Sequence, residues 1–150
     1  MNITDVDDKT IRDSKIKYPD LEPMEALQKF TKEYDDLFWR DMIELNVEKP
    51  DIITYATDSQ YLNEMQVLTK RIVDAGFGYV RDGSVYFDVK KYSQQHKYGQ
   101  LLNLDMAGFK AGVRIDADEY EKENVQDFVL WKGHKEGEPF WEFDLNGELS

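Results

Sequence analysis

The sequence predicts an α+β fold, three helices followed by an antiparallel hairpin or small sheet, and three observations carry that expectation. Apolar residues recur at three- and four-residue spacing as far as Ala75, the period switches to two at Phe77, and capping and turn residues stand at the boundaries between these stretches. The 150 residues are 41% hydrophobic and 13% aromatic, enough to build one core that buries roughly two thirds of the unfolded surface.

Thr4-Asp5-Val6-Asp7 places a hydroxyl cap three residues ahead of an acid, which predicts a short helix to about Ser14 whose first turn holds the acids favoured by the dipole. Pro19 and Pro23 bracket a turn. Leu27, Phe30, Tyr34, Leu37, Phe38 and Leu45 then form an apolar stripe, predicting a second helix to about Asn46. Thr57-Asp58-Ser59-Gln60 reads as another capping box. Tyr61, Met65, Leu68 and Ile72 follow at helical spacing and Gly76 supplies a left-handed stop, so the third helix runs from about Asp58 to Ala75.

Phe77-Gly78-Tyr79-Val80-Arg81 and Ser84-Val85-Tyr86-Phe87-Asp88-Val89 flank Asp82-Gly83, a pair suited to a type I′ turn, and predict an antiparallel hairpin. Residues 90 to 124 have weak periodicity, with Gly112 to Ile115 a candidate further strand. Phe128-Val129-Leu130-Trp131 suits a buried strand and Phe140-Trp141-Glu142-Phe143 a partly exposed one. No internal repeat or low-complexity tract is present.

Nineteen basic against thirty-one acidic side chains give a net charge of -12, so the segment offers no basic stripe and is not expected to bind nucleic acid autonomously. Without cysteine there is no disulfide, thiolate zinc site or thiol nucleophile. The N-terminus carries no leader pattern and no apolar run approaches the roughly 20 residues of a membrane span, giving the expectation of a cytoplasmic, soluble protein.

Asp5, Asp7 and Asp8 invite a calcium reading, but an EF-hand loop counted from Asp5 puts Thr10 where glycine belongs and Ile16 where the bidentate glutamate belongs. His96 and His134 have no metal-ligand spacing, and both read as surface histidines. The glycines fit no phosphate-cradling pattern. Trp131, beside Lys132, and Trp141 read as core or interface residues rather than as base-stacking platforms.

Three strings together carry a resemblance: Asn2-Ile3-Thr4-Asp5-Val6-Asp7-Asp8-Lys9; Tyr86-Phe87-Asp88-Val89 with Tyr98-Gly99; and Asp127-Phe128-Val129-Leu130-Trp131-Lys132 with Glu136-Gly137-Glu138-Pro139. In order and spacing they resemble the cysteinyl-tRNA synthetases, class I enzymes whose Rossmann catalytic domain is interrupted by a connective insertion. A paralogous ligase that joins cysteine to an amino sugar shares parts of the pattern. The resemblance implies that residues 1–50 are the tail of the first Rossmann half, 51–126 the connective insertion, and 127–150 the return strand, with Asp127, Trp131 and Lys132 marking re-entry into the catalytic sheet. The family's HIGH signature and first zinc-ligand cysteine are expected before Met1, and its PGWHIECS segment, other zinc ligands and KMSKS loop after Ser150.

The implied parent reaction activates cysteine with ATP and magnesium and transfers it to tRNA(Cys), with zinc holding the substrate thiolate. The chain alone is expected to be catalytically incomplete, with no catalytic residue or metal ligand of its own and no tight cofactor binding. By resemblance, Thr4 lies at the edge of the amino-acid pocket, while Asn2 and Asp5 shape the loop at the carboxyl end of a Rossmann strand, where such sheets bind ligands. The alternative is a free-standing acidic interaction module derived from the synthetase, which binds a basic protein partner or mimics nucleic acid through its charge.

Overall fold

Asp7, rather than Thr4, starts the first helix. Its backbone is extended at φ -157°, its carboxylate accepts the Thr10 amide at 2.7 Å, and the Thr10 hydroxyl accepts the Asp7 amide at 2.8 Å. This reciprocal box begins α1 at Asp8–Lys17, where Lys15 and Lys17 suit the negative end of the dipole. Thr4 is unavailable as a cap because Asn2–Ile3 form a strand, β1, which pairs in parallel with β2, Thr54–Tyr55. The computed structural model describes residues 1–100, 126–145 and 148–149.

α2, Pro23–Glu44, begins with proline at its first helical position, where the missing amide is not needed, and ends before Asn46 at φ 54°. Only the first part of its predicted stripe is core. Ala26, Leu27 and Phe30 are buried, whereas Tyr34, Leu37, Phe38 and Leu45 are exposed. Length explains the difference: α1 has ten residues and α2 twenty-two, so about 15 Å of helix lies along about 33 Å. At the α1–α2 contact, Glu33 pairs with the Lys17 ammonium and accepts the Tyr18 hydroxyl.

α3, Ser59–Asp74, is capped by Asp58, whose carboxylate accepts the Gln60 amide at 2.9 Å; Thr57 serves elsewhere. Its covered face runs through the buried Leu62 and Thr69 and the partly buried Val73, and Met65 and Leu68 of the expected stripe are exposed. Gly76, at φ 79°, supplies the expected stop. β3, Gly78–Arg81, and β4, Ser84–Phe87, form the predicted hairpin. Asp82 at φ 48° and Gly83 at φ 74° give the positive pair that a type I′ turn requires.

The count of three helices is short by one among the described residues. α4, Val89–Gln95, lies where no periodicity was expected, because seven residues are too few for a readable pattern. It is held instead by two carboxylates. Asp88 caps it through the Lys91 amide at 2.7 Å, and Asp127, 1% exposed, accepts the Val89 amide at 3.1 Å and the Tyr79 hydroxyl at 2.9 Å.

β5, Phe128–Trp131, completes a three-stranded sheet of order β3-β4-β5. The expected strand is therefore present, but as a half-exposed edge rather than a buried strand, while β4 occupies the covered centre. Residues Phe140 to Phe143 form no strand; pairing starts after them, with β6, Asp144–Leu145, against β7, Glu148–Leu149. The candidate strand from Gly112 to Ile115 lies outside the described residues.

Internal packing divides the chain into two units, Met1–Met65 with His134–Trp141, and Gln66–Gly133 with Glu142–Ser150. In the first, α2 packs on α1 and the parallel pair β1-β2 lies beside them. In the second, Val85, Phe143 and Leu145 form a core against Val73, Val80, Leu130 and Trp131, so Trp131 is a packing residue. Among the described residues no helix is long and apolar enough to cross a membrane.

Two outcomes follow from these contacts. Asp127→Ala, which strands a buried amide and a phenol, is expected to cost about 1–3 kcal/mol, read as a lower urea midpoint. The Thr10 amide holds the Asp7 carboxyl below its usual 3.8, so the cap is fully effective above that value and is lost as pH falls through the lower folded one. Helical chemical shifts of α1 should decline only at pH below about 4, and Asp7→Asn, which keeps an amide acceptor, should remove the dependence.

Candidate functional site

Only three residues, Thr4 to Val6, join the two-residue strand β1 to the cap at Asp7, too few to satisfy one another's polar atoms, so this segment finds distant partners. Asp5 finds Thr57, fifty-two residues away: its carboxylate accepts the Thr57 amide at 3.0 Å and also the Thr57 hydroxyl. Asn2 Oδ1 accepts the Thr54 hydroxyl at 2.6 Å. Backbone bonds from Thr54 to Met1 and from Ala56 to Ile3 complete the seam.

Beside that seam lies a cavity of about 730 Å3. Asn2, Thr4 and Asp5 line one wall at the carboxyl end of β1, Thr57 and Tyr55 line the β2 side, and α2 contributes Phe30, Tyr34, Asp35 and Phe38. The walls are mainly apolar with a few hydroxyls and carboxylates, a composition suited to a small amphipathic ligand. The three residues singled out from the sequence are thus brought together. They differ in availability. Asn2 belongs to β1 itself rather than to the following loop, and both it and Asp5 spend their side-chain oxygens on the seam. Thr4 is exposed, and its hydroxyl has no partner among the described residues.

Asp35 and Tyr55 escaped the sequence reading. Tyr55 donates to Asp35 Oδ2 at 3.1 Å across the cavity wall, and burial, followed by that hydrogen bond, raises the phenol above its usual range. Asp35 lies within a helix whose apolar neighbours dominate the pattern, and Tyr55 lies in a stretch with no periodic signal. Thr57 did carry a signal, but a local one, that of a capping box. Its pairing with Asp5 depends on chain topology and has no signature at short range.

His96 and His134 are exposed, against Tyr92 and Phe140 respectively. Among the described residues no three His, Cys, Asp or Glu side chains cluster closely enough to hold a metal ion.

Comparison with known proteins gives a consistent result. A family model described as the catalytic domain of class I (C) tRNA synthetases matches residues 1–146. The cysteine–tRNA ligase of Solibacter usitatus (strain Ellin6076) is 42% identical over 142 residues, covering 95% of this chain and 28% of that protein. The ligase of Koribacter versatilis (strain Ellin345) is 41% identical over 143 residues, covering 95% and 27%. That of Leptospira interrogans serovar Lai is 40% identical over 143 residues, covering 95% and 28%. The chain therefore spans little more than a quarter of the length of these relatives.

Thr57→Val removes one of the two bonds to Asp5 and keeps the shape of the side chain. It is expected to weaken the β1-β2 seam by about 1–2 kcal/mol, so the amides of Ala56 and Thr57 should exchange roughly 5–30 times faster by hydrogen-exchange NMR.

Proposed function

The chain belongs to the class I (C) tRNA synthetase catalytic-domain family, and on that premise we propose that it is part of a cysteine–tRNA ligase. The whole enzyme activates cysteine with ATP and transfers it to tRNA(Cys). The observation that carries the reading is identity of about 40% along 95% of the chain to ligases of that activity. The parts divide as residues 1–50, the tail of a first Rossmann half; 51–126, a connective insertion; and 127–150, a return toward the catalytic sheet.

Within the enzyme this chain supplies one wall of the amino-acid site. Thr4 is the contact residue, since its hydroxyl alone among the three is free to meet substrate. Asn2 and Asp5 are positioning residues, which hold the loop that presents Thr4. The cavity is larger than cysteine requires and leaves space for the remainder of the site. Magnesium-bound ATP and zinc belong to the parent. Zinc, when bound, supplies a soft Lewis acid for a thiolate, but the residues here do not fit it: the chain has no cysteine, and the described residues hold no ligand cluster. No step is assigned to it.

The reading is tested by grafting the 150 residues in place of the matching segment of the Solibacter usitatus ligase. The graft should sustain cysteine-dependent ATP–pyrophosphate exchange, and the chain alone should not. In the graft, Thr4→Ala should raise the KM for cysteine about tenfold, the scale of one lost hydrogen bond, and Thr4→Ser should restore it. Exchange by the chain alone, or a folded graft without exchange, overturns the proposal.

A further inference from the structure

The Thr4 side chain has no anchor of its own, so whatever places its hydroxyl acts through the neighbouring residues. On one side Ile3 pairs in register with Tyr55, and the Ile3 carbonyl, which belongs to the peptide bond leading into Thr4, accepts the Ala56 amide at 3.1 Å. On the other side Asp5 is bound to Thr57. Thr4 therefore hangs between two attachments to the segment from Tyr55 to Thr57, and its position is only as definite as the position of that segment. A pair of two-residue strands has little stiffness of its own. β2 needs an anchor in turn.

Tyr55 provides one. Its phenol donates to Asp35 Oδ2 at 3.1 Å, which ties β2 to the long helix α2. Glu33, on the same turn of α2, pairs with the Lys17 ammonium and accepts the Tyr18 hydroxyl, so the part of α2 that carries Asp35 is itself braced against the end of α1. A line of contacts thus runs from α1 through α2 and Tyr55 to Ile3, and ends beside Thr4.

Stability does not account for the Asp35–Tyr55 pair. Asp35 Oδ1 is buried and has no donor among the described residues. A buried acceptor left unsatisfied costs about as much as a single hydrogen bond returns, so the carboxylate gains the fold little. Asp35 also stands among Phe30, Tyr34 and Phe38 on a cavity wall that is otherwise mainly apolar. What the pair does supply is a fixed separation between β2 and α2. The geometry points to Tyr55 and Asp35 as positioning residues of the amino-acid site, which act through β2 to set where the Thr4 hydroxyl stands and so the affinity for the amino-acid substrate. The inference deepens the proposed function and rests on it. The competing role is direct contact of Asp35 with the substrate ammonium. That role needs the negative charge, whereas holding Tyr55 needs only an acceptor.

The test uses the graft in the Solibacter usitatus ligase and its ATP–pyrophosphate exchange. Tyr55→Phe keeps the ring and removes only the donor; it should raise the KM for cysteine about fivefold and leave the KM for ATP unchanged. Asp35→Ala should match it, and Asp35→Asn, an acceptor without charge, should restore most of the affinity. Because Tyr55 acts through Thr4, the double variant Thr4→Ala with Tyr55→Phe should be no worse than Thr4→Ala alone, about tenfold, rather than the roughly fiftyfold of independent losses. Additive losses, a KM for ATP that rises together with that for cysteine, or Asp35→Asn as weak as Asp35→Ala overturns the inference. An unchanged KM for cysteine in Tyr55→Phe overturns it as well, and if Thr4→Ala keeps its effect in the same graft, the proposed function stands without it.

Discussion

The bond from Asp5 to Thr57 is the constraint on which the first unit depends. Closing a loop of fifty-two residues costs about 3.5 kcal/mol in chain entropy before any constant term. A charge-assisted hydrogen bond returns about 1.5–3 kcal/mol, so a single one would not reliably hold the seam. Asp5 makes two, to the amide and the hydroxyl of one residue, and the two-residue parallel pair adds its backbone bonds alongside. Parallel pairing this short has little stability of its own. The carboxylate, more than the strands, decides where the wall of the cavity stands.

The second unit solves a similar problem with Asp127. Its oxygens join the start of α4 and the hydroxyl of Tyr79 on β3, partners thirty-eight and forty-eight residues away. A buried carboxylate is expensive unless satisfied, and here both oxygens have donors. The arrangement explains how a helix of seven residues, far below the length stable in isolation, persists at all. Tyr92 of that helix stacks on His96 with centroids 4.6 Å apart. In both units one acid converts a weak local element into a positioned one.

Those acids mark the limit of what the sequence discloses. Elements with strong local signals were legible: the α2 and α3 spans, the Gly76 stop and the Asp82-Gly83 turn all follow from periodicity, caps and the backbone freedom that a positive φ demands. The α1 start was displaced because Thr4 and Asp7 both suit a cap, and the competition is settled by strand pairing with residues fifty positions downstream. α4 was invisible because its support comes from Asp127, and the edge character of β5 because burial depends on which strand lies at the centre. Asn2, Thr4 and Asp5 were found through a resemblance; composition alone read the acids as helix charges and gave Asn2 and Thr4 no reason to be there. Asp35 and Tyr55 needed the folded chain.

The stripe on α2 joins these two levels. Leu27 and Phe30 sit against α1, whereas Tyr34 and Phe38, continuing the same face, are exposed, and with Phe30 all three aromatics line the cavity. A helical apolar period identifies the face that seeks cover without saying what covers it. Over the first turns the cover is α1. Beyond the reach of ten residues the same face becomes a wall of the cavity, where Asp35, one of its polar residues, accepts the Tyr55 hydroxyl at 3.1 Å. The short helix that Asp7 starts and Tyr18 ends thus leaves the later turns of this face uncovered, and the cavity lies against them.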